Sequence, residues 1–286
     1  MTVLRSVVVL AGLSALTLAC EPARGIDIYS WQTTDFFPTS LVKWRSPLSL
    51  GTTRIGSTQD ISFDMAFSPS GVLWGTDGSS VFSIDITTGQ PSAHIPITSH
   101  IFGLNEFLEG VAFDPNGQMY CWTLNSTSSG LYQIDPTTGT ASVVTYQTAE
   151  PIFGLTFGAE GEIYASTGSS LVSLSPTDGS TVRTIGNFNN FVTSLGYGPD
   201  GVLRGLEPNP TGADGTNLLF INRLTAGTTI IGISTENLYG VAAIAPAPGT
   251  GVLAVAACGL AVNRRRRRRN ALAAATSPCT SPARRA

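Results

Sequence analysis

Side chains able to do chemistry are sparse in this sequence. There are two histidines, His94 and His100, and no His-x-Glu, His-x-x-x-His or Gly-x-Ser-x-Gly pattern lies in residues 25–244. Neither histidine therefore reads as the base of a serine or metal-dependent hydrolase, and a solvated loop is the expected place for both. Four cysteines occur, of which only Cys121 belongs to the central part, and no Cys-x-x-Cys pair is present. A disulfide framework or a zinc cluster is not expected there. Carboxylates are the stronger candidates. Asp64 and Glu109 lie at neighbouring positions of successive repeated units, and Asp77, Asn125 and Glu207 fall near the ends of second strands. The acids Asp85, Asp114, Asp135 and Asp200 recur at similar positions. Such repetition marks the capping of turn backbone, because an active site breaks the symmetry of a repeat.

The elements that position these groups come from that repetition. Segments starting at Asp64, Gly110, Gly154 and Ser194 align, each opening on a short apolar strand such as Val111-Ala112-Phe113. A turn follows (Asp114-Pro115-Asn116-Gly117), then a second strand, a third that alternates (Leu131-Tyr132-Gln133-Ile134), a turn Asp135-Pro136-Thr137-Thr138-Gly139, and a fourth strand. Alternating β-branched and aromatic residues between Gly-rich turns specify strands. Steps of 46, 44 and 40 residues, with four strands per unit, fit a propeller blade. A fifth unit begins at Leu238-Tyr239-Gly240-Val241 and stops at Ile244. Its missing strands are supplied by Ile26 to Trp31, Leu41 to Arg45 and Thr52 to Ile55. The fold class expected is all-β: a five-bladed β-propeller over residues 25–244, its ring closed by strands from both ends. A six-bladed count is the alternative. Closure removes the exposed sheet edges of an open array.

Composition agrees. Of 286 residues, 12% are charged and 42% hydrophobic, against about 25% charged in an ordinary soluble domain. That is too few charges for a coiled coil and enough apolar surface for a core. Residues 25–244 hold 18 acids and six bases, a balance of −12. Such a body repels nucleic acid, and none is expected as a partner.

The two ends read as addresses. Met1 to Cys20 has Arg5, an apolar stretch from Val7 to Leu18, and Thr17-Leu18-Ala19. The expectation is a signal peptide over residues 1–19 with cleavage after Ala19, short helical in form; lipidation at Cys20 is the alternative. At the other end, Pro246-Ala247-Pro248-Gly249-Thr250 precedes the apolar run Gly251 to Val262 and six arginines, Arg264, Arg265, Arg266, Arg267, Arg268 and Arg269. Residues 245–269 resemble the PEP-CTERM sorting signal of Gram-negative bacteria, with Ala247 where that signal has Glu. The resemblance implies a short transmembrane helix in transient contact with the inner membrane. It also implies removal by an exosortase-type processing enzyme, and a cell-surface or extracellular destination. The basic cluster would stay on the cytoplasmic side. Residues 270–286 are expected to be a disordered tail.

The turn sequences are also similar to those of secreted NHL-type and gluconolactonase-type propellers. Gluconolactonase-type enzymes hold a divalent metal in the channel with Glu, Asn and Asp from different blades. That resemblance implies Asp64, Glu109, Asn125 and Glu207 as a weak ligand set, of oxygen donors that suit Ca2+. The function expected is a non-catalytic binding role for a monomer with no cofactor, toward polysaccharide, a surface protein or a cation. A metal-dependent hydrolase or lactonase in the channel is the alternative. The longer connections, Ser92 to Leu108 and Glu207 to Asn217, are the expected binding surfaces.

Overall fold

A computed structural model describes residues 26–33, 39–44, 51–98, 107–124, 129–147, 151–211 and 214–244. The signal peptide with Ala19, Cys20, His100, Asn125 and everything after Ile244, including the sorting motif and the arginine cluster, lie outside the described residues.

Alternation at period two builds twenty strands: β1 (Asp27–Thr33), β2 (Ser40–Trp44), β3 (Thr52–Arg54), β4 (Asp64–Phe67), β5 (Leu73–Thr76), β6 (Ser80–Ile84), β7 (Ile95–Pro96), β8 (Phe107–Phe113), β9 (Met119–Leu124), β10 (Ser129–Ile134), β11 (Ala141–Gln147), β12 (Gly154–Phe157), β13 (Ile163–Ser166), β14 (Ser170–Leu174), β15 (Thr181–Asn187), β16 (Ser194–Tyr197), β17 (Leu203–Pro208), β18 (Thr216–Ile221), β19 (Thr228–Ser234) and β20 (Asn237–Ile244). They form five four-stranded antiparallel sheets. Four blades are consecutive meanders: β4 to β7, β8 to β11, β12 to β15 and β16 to β19. The closing blade has the order β20-β1-β2-β3. Ile28 pairs with Ala243 and Trp31 with Tyr239, and Ser30 pairs with Val42 on the other side. The chain is a five-bladed β-propeller. Among the described residues no helix is long and apolar enough to cross a membrane.

Because each sheet is covered on both faces, neighbouring residues of one strand enter different cores. Val81 packs toward the second blade with Val111 and Tyr132, whereas Phe82 packs toward the closing blade with Trp31 and Leu41. Five such clusters fill the five spaces between blades. Trp31, Trp122, Tyr132 and Phe82 are the largest fully buried side chains. The first turn of each repeated unit places a glycine at positive φ: Gly71, Gly117, Gly161 and Gly201 (84°, 90°, 80° and 75°). There a side chain would be strained. The turn acids cap as expected. Asp85 accepts the Thr87 N–H at 2.7 Å and Asp135 the Thr137 N–H at 2.8 Å. Asp114 accepts the N–H groups of Asn116 and Gln118. Asp200 accepts the Val202 N–H at 3.3 Å and also binds the guanidinium of buried Arg204 through both oxygens, at 3.0 and 2.6 Å.

Candidate functional site

The inner strands β4, β8, β12, β16 and β20 bring Asp64, Gly110, Gly154, Ser194 and Gly240 to equivalent places around the axis. Three are glycine because the blades come too close for more. A Cβ on Gly154 would lie 2.6 Å from Ser194 Cα, and one on Gly240 would lie 2.9 Å from Met65 N. The two side chains that remain tie the blades together. The Val241 N–H donates to Ser194 Oγ (3.0 Å), the Ser194 hydroxyl donates to Asp64 Oδ1 (2.9 Å), and the Val111 N–H donates to Asp64 Oδ2 (3.0 Å). One relay thus joins the closing, fourth, first and second blades. Asp64 is fully buried. Burial pushes its carboxyl up to about 8, against the pull of hydrogen bonds from Val111, Ser194 and Met65 and with a further push from Glu109. Burial, and then Asp64, raise the thiol of Cys121, a buried free cysteine.

The other carboxylates are placed differently. Glu109 is the residue left unpaired by a bulge in β8, between Leu108 and Gly110, and burial raises its carboxyl. Bulges of this kind re-aim a side chain. Glu207 is buried and accepts the amides of Asn217 in its own blade (3.3 Å) and of Asn190 in the connection from the third blade (3.1 Å). Of the expected oxygen-donor set, Asp64 and Glu109 are near enough to influence each other, Glu207 is engaged elsewhere, and Asn125 is outside the described residues. Among the described residues no three of His, Cys, Asp and Glu are grouped to hold a metal.

His94 departs from its expected solvated loop. Its ring stacks on Phe82 at 4.4 Å. Nδ1 meets Asp77 Oδ2 at 2.8 Å and Nε2 lies 3.1 Å from Asp60 Oδ1. Ser80 Oγ, also on Nδ1 at 3.1 Å, donates to Asp77 at 2.5 Å. For Asp77, burial is outweighed by hydrogen bonds from Ser80, Ser79 and His94, so its carboxyl is lowered. With its hydroxyl held by Asp77 and its side chain buried, Ser80 is no free nucleophile. The cluster joins the first blade to the segment leading from β3. No spacing in the sequence signals it, because its members come from three separate stretches, Asp60, Asp77 to Phe82, and His94.

The two ends of the channel differ. At the entrance, where the inner strands begin, Phe107, Phe191 and Tyr239 are 53%, 46% and 41% exposed. Phe153 supports Phe191 edge-on at 4.7 Å. Glu109 belongs to this end. At the exit, the third residue after each equivalent position is Phe67, Phe113, Phe157, Tyr197 and Ala243. These line an apolar cavity of about 290 Å³, together with Val241 and Ile244. The rings were legible in the repeat, but their convergence follows only from closure.

No family profile matches the chain, and no curated relative does. Solved structures are similar at the level of fold. One is a chain of a nidogen/laminin complex, 12% identical, with a TM-score of 0.51, covering 77% of this chain and 98% of that one. Another is TolB from Acinetobacter baumannii, 15% identical, with a TM-score of 0.46, covering 72% and 52%. A third is hydrazine synthase from Kuenenia stuttgartiensis, 16% identical, with a TM-score of 0.40, covering 62% and 49%. The chain spans about half the length of that last structure.

Proposed function

We propose that this is an exported propeller with a non-catalytic binding role, whose ligand is a neutral or cationic polysaccharide held at the channel entrance. The observation that carries the reading is the set of exposed aromatic rings there, beside a channel acid already spent on joining blades. Large rings exposed beside the starts of three inner strands offer an interaction surface at one end of the ring, and flat faces of this type stack on the apolar faces of sugar rings. The excess of carboxylates over the body disfavours a polyanionic ligand. The hydrolase or lactonase reading is set aside because Asp64 is sealed among donors.

The test is affinity electrophoresis of the full chain through gels containing cellulose derivatives, β-1,3-glucan or xylan. Retardation by one of them is expected, reduced roughly tenfold by Phe107→Ser with Phe191→Ser, about 1.4 kcal/mol. Unchanged mobility in every glycan overturns the proposal. The export half has its own test, mass spectrometry of the mature ends after fractionation of the host. Cleavage after Ala19 and loss of the residues beyond about Ala245 are expected, and deletion of Arg264 to Arg269 should misplace the protein. Intact ends in the cytoplasm would refute it.

A further inference from the structure

The aromatic residues at the channel exit have a second set behind them, and both sets are interrupted at the same place. Each exit ring packs on an aromatic residue from the second strand, counted from the axis, of the preceding blade. Between ring centres, Tyr29 and Phe67 are 5.7 Å apart, Trp74 and Phe113 6.4 Å, Tyr120 and Phe157 5.0 Å, and Tyr164 and Tyr197 6.4 Å. At the same register the fifth pair is Arg204 and Ala243, so neither ring is present there. A Cβ on Gly198 would lie 2.5 Å from Arg204 Nη1 and 3.4 Å from Ala243 Cβ, so the guanidinium adjoins the gap. Its charge is matched by Asp200, 2.6 Å away. Four repeated pairs read as packing between blades, and the break in their symmetry leaves room beside Ala243.

We propose that the exit cavity binds a small uncharged aromatic molecule of about two fused rings, seated over Ala243 as the missing fifth ring. Residues from all five blades line this cavity, which places it on the axis. Its volume is about 290 Å³. An apolar cavity of about 150 Å³ stays dry and takes one benzene, so this one has space for a ligand of roughly twice that size. Among the described residues no charged side chain lines it. A charged ligand would lose its hydration there and find no counter-charge in the wall. The four exit rings are also held in the cores between blades, so the wall is formed before any ligand arrives. Little ordering is then left to oppose binding. Edge-on and offset contacts with those rings favour an aromatic guest over an aliphatic one, and the neighbouring guanidinium favours the same choice. A second cavity of about 340 Å³ shares the four rings and continues to the exposed turns at Pro115 and Ala159, which gives the ligand a way in from solvent.

The probe is N-phenyl-1-naphthylamine, which is uncharged and fluoresces strongly only in apolar surroundings, titrated into the full chain. A saturable rise in emission at one probe per chain is expected, reversed by added naphthalene. Ala243→Phe supplies the fifth ring from the chain itself and should weaken probe binding roughly tenfold or more. Circular dichroism checks that this variant is folded, and Ala243→Leu, which fills less of the space, takes its place if it is not. Val182→Ser with Ile233→Ser removes two exposed side chains of the outer strands β15 and β19 and should leave the binding midpoint unchanged. Emission that never saturates overturns the inference, and so does unaltered affinity in a folded cavity-filling variant. Loss of the signal in the outer-strand variant puts the probe on the outer surface and also overturns it. Displacement by tetramethylammonium but not by naphthalene would make the rings a cage for a cation, which overturns the uncharged assignment. Glycan retardation is read at the opposite end of the channel, so either proposal can fail alone.

Discussion

A buried carboxyl group costs several kcal/mol unless donors reach it, and Asp64 has a backbone N–H, a hydroxyl and the Met65 N–H around it. Its protonation is therefore coupled to folding. In the unfolded chain it ionises near 3.8, whereas in the ring it keeps its proton up to about 8. Between those values the folded form holds the extra proton, so this group's stabilising contribution is full below about 3.8 and is lost as pH rises toward 8. Urea unfolding at a series of pH values should show the midpoint falling across that window. Asp64→Asn can offer its oxygen to Val111 and its amide to Ser194, and it should flatten that fall. Asp64→Ala leaves a buried N–H without an acceptor and should cost about 1–3 kcal/mol at acid pH, a cost that shrinks as pH rises toward about 8. An unchanged pH profile in Asp64→Asn would show that another group is responsible. The equivalence of Asp64 with Gly110, Gly154, Ser194 and Gly240 could be read from spacing. Its burial could not, since that depends on how near the glycines let the strands come. His94 was misjudged for a related reason: its partners Asp60, Asp77 and Ser80 meet it only after the first blade has packed.

Strands tolerate change unequally according to how near the axis they run. On β12, Gly154→Ala would put a methyl group 2.6 Å from Ser194 Cα and 2.7 Å from Leu195 N, both backbone of β16, where nothing flexible can yield. A loss of about 3 kcal/mol or more is expected by thermal unfolding. Gly117→Ala meets no atom within 4 Å and is strained only through its φ of 90°. It should cost about 1–2 kcal/mol. Similar losses at both sites would mean that the axis is looser than described. Strand order within blades was readable, because turn signals and period-two alternation leave few options. The bulges of β8 and β20 were not, although they decide where Glu109 and Gly240 point. Neither was the shortness of β7, two residues including Pro96. An outer edge needs little pairing, and proline there blunts it.

At the scale of the ring, closure rests on β1, inserted between β20 and β2. Trp31 is fully buried in the cluster between the closing and first blades, with Leu41, Met65 and Phe82. Trp31→Ala should lower stability by about 3–5 kcal/mol. Because the ring opens as a unit, amides of β1 and β20 should gain hydrogen-exchange rate together, while β13 and β14 change less. Faster exchange in β1 alone would contradict shared closure. The five-blade count was legible because the last repeat lacks three strands and the first residues supply three. The same arrangement bears on synthesis. β1 leaves the ribosome about two hundred residues before its partner β20. At about 5–20 residues per second, the nascent chain waits some 10–40 s before its final sheet can form. A polypeptide whose first strand cannot be satisfied until its last has been translated leaves one sheet of five unfinished for that whole interval.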